Sequence, residues 1–192
     1  MLHVQHLSMI ELEAGLDHIR QAPKDNGVLK MIVRRPHVDQ REILYQGELH
    51  PREGLVGDAW KVQAGHRSDE PRHRNRQITI MNARAIALLA QDKERWALAG
   101  DQLYVDLDLS DDNLSPGSRL AIGSAILEVS AAPHTGCKKF SSRFGLEALK
   151  FVNSPEGKGL HLRGINTRIV QGGVIQVGDV VRKVQNDLVR ML

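Results

Sequence analysis

The chain has 192 residues, with 41% hydrophobic and 26% charged content, a formal charge of +3 and a single cysteine. That is enough for one domain with a real core and too little for two, and no apolar run is long enough to cross a bilayer. One cysteine excludes an intrachain disulfide, and the small net charge gives no argument for a nucleic-acid partner.

The N-terminus shows neither a basic region nor an apolar run of secretory type, so cytoplasmic residence is expected. Ser8 and Glu11 have capping-box spacing, and Met9, Leu12, Leu16 and Ile19 follow a helical period. Residues 1–25 therefore read as a helical extension, closed by the turn-rich Pro23–Gly27. Residues 26–186 read as the main domain and 187–192 as a tail.

Within the domain, Val28–Val33 and Arg41–Tyr45 read as strands, and Gly54-Leu-Val-Gly-Asp58 as a tight turn with Asp58 its Asx residue. Lys61–Arg76 is irregular and rich in arginine; it reads as a solvated loop, or as one folding over an anionic ligand. His66, His73 and Cys137 match no common zinc spacing. Gln77–Ile80 reads as a strand and Ala83–Ala90 as a helix. Tyr104–Leu109 alternates as a strand with Asp106 and Asp108 on a solubilising outer face. No dinucleotide fingerprint or P-loop occurs.

The cysteine lies between Arg119–Ser130, a strand or bent hairpin, and Leu146–Val152, a helix capped by Ser141 or Ser142. Pro133 and Gly136 forbid regular structure between them, so Cys137 is expected in a turn ahead of a helix N-terminus. Lys138, Lys139, Arg143 and His134 would favour its thiolate, the reactive and metal-binding form. A unit charge about 6 Å away is worth roughly 3 kcal/mol at an effective dielectric near 20. The last part of the chain, Thr167–Gln171, Val174–Val177 and Val180–Val184, reads as three strands joined by Gly-Gly and Gly-Asp turns in a meander. The pattern predicts a mainly β fold: a small, mostly antiparallel barrel with peripheral helices.

Four segments in this order resemble the MOSC family: Gly54–Asp58, Arg76-Gln-Ile-Thr79, Cys137 after its strand, and Arg168–Asp179. The resemblance implies a barrel like the small domain of pyruvate kinases. It also implies that Cys137 either ligates the molybdenum of a pterin cofactor (Mo-molybdopterin) or carries sulfur. Arg76, Lys138, Arg143, Arg163 and Arg168 would meet the anionic tail of that cofactor, with Thr79, His134 and Gln102 as further contacts. Gln102 stands in Gly100-Asp-Gln-Leu103, where the family often has an Asn. The activity implied is molybdenum-dependent reduction of N-hydroxylated compounds, a small-molecule substrate served by a separate electron-transfer protein. The alternative is a sulfur transferase accepting a persulfide from a separate sulfur donor. A non-catalytic anion-binding module is the third reading.

Overall fold

The computed structural model describes residues 5–184, so the expected tail at 187–192 lies outside the described residues. The chain begins with helices α1 (Met9–Ala14) and α2 (Leu16–Arg20). Ser8 and Glu11 form the capping box that starts α1. Strands β1 (Gly27–Arg34), β2 (Glu42–Leu44), β3 (Gln46–His50) and β4 (Gly54–Leu55) follow. The Lys61–Arg76 stretch is not a plain loop. Helix α3 (Trp60–Ala64), a 3-10 turn (Gly65–Asp69) and helix α4 (Pro71–Arg74) shape it, and α4 starts on a proline that needs no amide partner there.

Next come β5 (Ile78–Asn82), α5 (Ala83–Ala90), a 3-10 turn (Lys93–Ala99), β6 (Leu103–Asp106), β7 (Arg119–Ile122) and β8 (Ala125–Val129). Helices α6 (Lys138–Phe144), α7 (Leu146–Asn153) and α8 (Pro155–Gly159) precede β9 (Ile165–Gln171), β10 (Gly173–Gln176) and β11 (Val180–Val184). The helix expected at Leu146–Val152 is α7, and Cys137 leads directly into an additional helix, α6. Ser141 and Ser142 do not cap α7; their hydroxyls donate back to Lys138 O and Lys139 O inside α6.

Seven strands close a barrel in the order β1, β11, β7, β8, β9, β5, β6 and back to β1, with β2 attached outside on β1. Every barrel pair is antiparallel except β5–β6, where α5 supplies the crossover that parallel neighbours require. The last three strands are not a meander. β9 pairs with β5 and β8, β10 with β3 in a separate small sheet, and β11 with β7 and β1. The glycine turns reverse the chain as expected, but the closing barrel supplies the partners.

Alternation sorts the apolar residues into two cores. Ile78, Ile80, Leu103 and Val105 fill the barrel, while Met81 and Tyr104 point outward beneath the helices with Leu12, Ile19, Phe140 and Phe144. A bulge in β1 between Leu29 and Met31 reverses its parity, so Leu29 and Ile32 face in and Met31 and Val33 face out. The outer face of β6 is therefore covered rather than solvated. Asp106 pairs with Arg84 of α5 at 2.7 Å, and Asp108 Oδ1 accepts from the Ser110 amide.

Leu12 is 1% exposed in the outer core, so Leu12→Ala is expected to cost about 2–5 kcal/mol of unfolding free energy in urea titration. Val62→Ala, on an 83% exposed side chain, is expected to stay within about 0.5 kcal/mol.

Candidate functional site

The loop from Ser130 to Gly136 leaves the end of β8 without regular structure, and each part of it is tied down by a side chain. Ser130 Oγ donates to Asn75 O at 2.6 Å, and Asn166 Nδ2 donates to Ala132 O and Pro133 O, both at 3.1 Å. Asn153 of α7 takes the Gly136 amide on Oδ1 and returns Nδ2 to Gly136 O. The loop delivers Cys137, in extended backbone, to the N-cap of α6 with its side chain exposed. Phe140 and Phe144, one turn apart with ring centroids at 4.9 Å, bury the inner face of α6. Lys138 and Lys139 stay on the outside. Two lysines in a first turn oppose the helix dipole, which favours negative charge there.

Behind the loop lies a buried charged group. Asp101 has no exposed side-chain surface and meets Arg163 Nη1 at 2.6 Å and His134 Nε2 at 2.8 Å. Arg163 Nη2 donates to Ala99 O, and its guanidinium lies 5.0 Å from the Phe140 ring centroid. Burial works to raise the Asp101 pKa, but Arg163 and His134 together outweigh it and hold the carboxyl at about 2. Burial also holds His134 below its ordinary 6.5, against the attraction of Asp101. Gly164 (φ +105°) makes room for this packing. A Cβ there would lie 2.4 Å from Ile80 O and 3.2 Å from His134 Cδ2.

Arg35 crosses to the same segment from the other side. Its Nε and Nη2 form a bidentate pair with Asp58, both at 2.9 Å, and Nη1 donates to Gly100 O at 2.8 Å. Asp58 also accepts from the Trp60 amide, the Asx turn expected of it, while its buried carboxylate anchors Arg35 as well. Arg35, His37, Arg41, Asp58, Gly100 and Lys139 border a cavity of about 170 Å³. Among the described residues Arg41 bonds only to the carbonyl oxygens of Ala97 and Gln40; burial and then the charges of Arg143 and Arg35 lower its pKa. A second cavity, of about 370 Å³, is bordered by His134, Thr135 and Arg163.

Of the residues expected at a site, the structure gathers Cys137, Lys138, His134, Arg143 and Arg163 around α6 and the hub. Arg143 donates to Leu98 O and pairs with Asp39. Thr79 and Gln102 are buried and bonded to each other: Gln102 Oε1 accepts from Thr79 Oγ1 at 2.6 Å and from the Thr79 amide at 2.9 Å. Arg76 is exposed in the turn after α4, and Arg168 pairs with Glu128 and borders a separate cavity of about 290 Å³ with Arg74 and Gln77, away from the other two. Arg35, Arg41 and Asp101 were missed. Arg34-Arg35-Pro36 reads only as a strand end, and nothing local marks Asp101 as the partner of a residue 62 positions away.

The donor set fits a cofactor that brings its own metal ligands. One exposed thiol is available, and among the described residues no group of three or more His, Cys, Asp or Glu could hold a bare metal ion. Asp39 and Asp58, the carboxylates bordering the smallest cavity, pair with Arg143 and Arg35; among the described residues Arg41 and Lys139 pair with none, which suits an anionic tail.

The fold and this arrangement define a small closed barrel presenting one exposed cysteine, which itself borders none of these cavities, two residues before Lys139 at the edge of the smallest one. The chain belongs to the MOSC domain family, whose profile matches residues 61–182. That family is known to bind molybdenum cofactor. Among solved structures the chain is similar to YuaD from Bacillus subtilis (TM-score 0.54, 19% identity, 82% of this chain and 94% of that one). It is also similar to YiiM from Escherichia coli (0.54, 16%, 83% and 70%) and from Geobacillus stearothermophilus (0.51, 15%, 83% and 74%). At these identities the likeness is one of fold. No curated protein gives a significant sequence match.

Asp101→Asn leaves the Arg163 charge buried without its counterion, and a loss of about 3–5 kcal/mol in urea unfolding is expected. Stability is also expected to fall with acid in two windows. Because the folded pKa of His134 is depressed, its contribution is complete above 6.5 and is lost as pH drops from there through the folded value. The contribution of Asp101, roughly 2 kcal/mol, goes between 3.8 and about 2. In denaturation from pH 7.5 to 5, His134→Gln is expected to flatten the first decline, which requires about this range around the imidazole pKa.

Proposed function

We propose that the chain binds molybdenum cofactor with Cys137 as its protein ligand and reduces N-hydroxylated compounds at that centre. The observation that supports this most is the exposed thiol at the head of α6, carried on a fixed loop, with an under-neutralised cation cluster close by in the chain at Lys139. A soft thiolate suits a sulfur-rich metal centre. Arg41 and Lys139 would hold the phosphate-bearing tail through charge-assisted hydrogen bonds, in a recess whose wall Arg35 forms while bonded to Asp58 and Gly100 O. When bound, the cofactor supplies the two-electron redox chemistry.

The net reaction cleaves the N–O bond of R–NHOH, consuming two electrons and two protons and giving R–NH2 and water. The electrons come from a separate electron-transfer protein. His134 contributes a fixed proton position: with Asp101 ionised, the neutral imidazole keeps its proton on Nε2 and leaves Nδ1 as the acceptor. Arg163 and Asp101 hold that ring in place.

Freshly purified protein from a cofactor-competent host is expected to carry close to one molybdenum and one pterin per chain, and Cys137→Ala to carry neither. Arg41→Gln is expected to weaken cofactor retention about tenfold, the scale of one charged hydrogen bond. Molybdenum at background in the wild type would remove this reading.

The exposure of Cys137 equally favours a sulfur carrier, in which its thiolate attacks a donor persulfide, forms Cys–S–SH and releases the donor thiolate. Mass spectrometry after incubation with a desulfurase separates the two readings. Sulfur added to Cys137 without bound molybdenum supports the carrier, and equal addition to Cys137→Ser excludes it.

A further inference from the structure

The second cavity, about 370 Å³, is bordered by His134 and Arg163 but by none of Arg41, Lys139 and Cys137. One wall is the Cys137 loop, through Pro133, His134 and Thr135; the other is formed by α8 and the turn after it, through Lys158 and His161. That second wall is preformed. Gly157 sits so close to α7 that a Cβ would lie 2.2 Å from Phe151 O. His161 adopts a left-handed backbone (φ +49°), uncommon for a residue other than glycine though histidine is among those that take it most readily. Asp111 latches the turn twice: its amide donates to Gly159 O at 3.0 Å, and its carboxylate takes His161 Nε2 at 2.8 Å.

Charge and polarity then select the occupant. The lining carries two cations, Lys158 and Arg163, and one carboxylate, Asp111, which is bonded to His161; Arg163 is already paired with Asp101 behind the lining, so Lys158 is the cation left for a ligand. Lys158 pairs with no carboxylate among the described residues. Arg163 is 7% exposed, and its Nε is buried with no hydrogen-bond partner. Pro133 and Val152 give apolar surface on either side. The volume falls at the small end of the range for ligand sites, about 300–1,000 Å³.

We propose that this cavity binds a small organic carboxylate with a compact apolar body, its carboxylate paired with Lys158 and its body held between Pro133 and Val152. The site stands without the molybdenum reading, since Lys158, Pro133 and Val152, the groups it uses, have no role there.

Benzoate serves as the probe, with benzyl alcohol as its uncharged counterpart and benzylamine as its cationic one, each titrated into the full chain by calorimetry and NMR. Saturable benzoate binding is expected below about 10 mM, with at least a tenfold loss for benzyl alcohol and for Lys158→Ala. Lys158 is exposed, so its variant should fold like the wild type, which thermal unfolding verifies. His161→Asn, which tolerates the left-handed backbone, is expected to weaken binding, while Cys137→Ser is expected to leave it unchanged. The proposal is overturned by no saturation, by equal binding of benzyl alcohol or benzylamine, by wild-type affinity in Lys158→Ala, or by loss of binding in Cys137→Ser.

Discussion

A carboxylate with no exposed surface is tolerable in a protein interior only if its charge is matched on the spot, and Asp101 is matched by Arg163 and bonded to His134. Those three residues come from three different places: the entry to β6, the entry to β9 and the cysteine loop. Their mutual dependence fixes the loop to the barrel. The neighbouring backbone is enlisted too, since Ala99 O accepts from Arg163 and Gly100 O from Arg35. The tripeptide 99–101 is thus the crossing point of two arginines that arrive from separate parts of the sequence. Through Asp58, the second arginine fastens the Gly54–Asp58 turn to it as well.

The surface around Cys137 follows from which faces the two cores consume. The outer core takes Phe140 and Phe144, so the opposite side of α6, with Lys138 and Lys139, has nowhere to go but solvent. Cys137 precedes that helix and inherits its position. A rigid loop and a helix pinned by two aromatics place the thiol without help from a ligand. A preorganised site of this kind binds with little ordering cost.

The distribution of unpaired charge separates two recesses. Near Lys139 the cations crowd one another, and Arg41 is depressed by burial and by its like-charged neighbours. Around Lys158 the cavity is larger and partly apolar. Asp101 belongs to the structure bordering both, through Gly100 and Arg163.

Period-two alternation made β5, β6 and the β7–β8 hairpin visible, the capping box marked α1, and Pro133, Gly136 and the following lysines exposed the setting of Cys137 before any coordinates. These are local signals, carried by residues a few positions apart. Other features had no local trace. The bulge in β1 changes which residues face inward, and the glycine turns after β9 and β10 say that the chain reverses but not which strand it will meet. The pairings of Asp101 with Arg163 and Arg35 with Gly100 span more than sixty residues. Spacing along a chain encodes which face a side chain takes. Which charges become neighbours is set only when the barrel closes and desolvates them together.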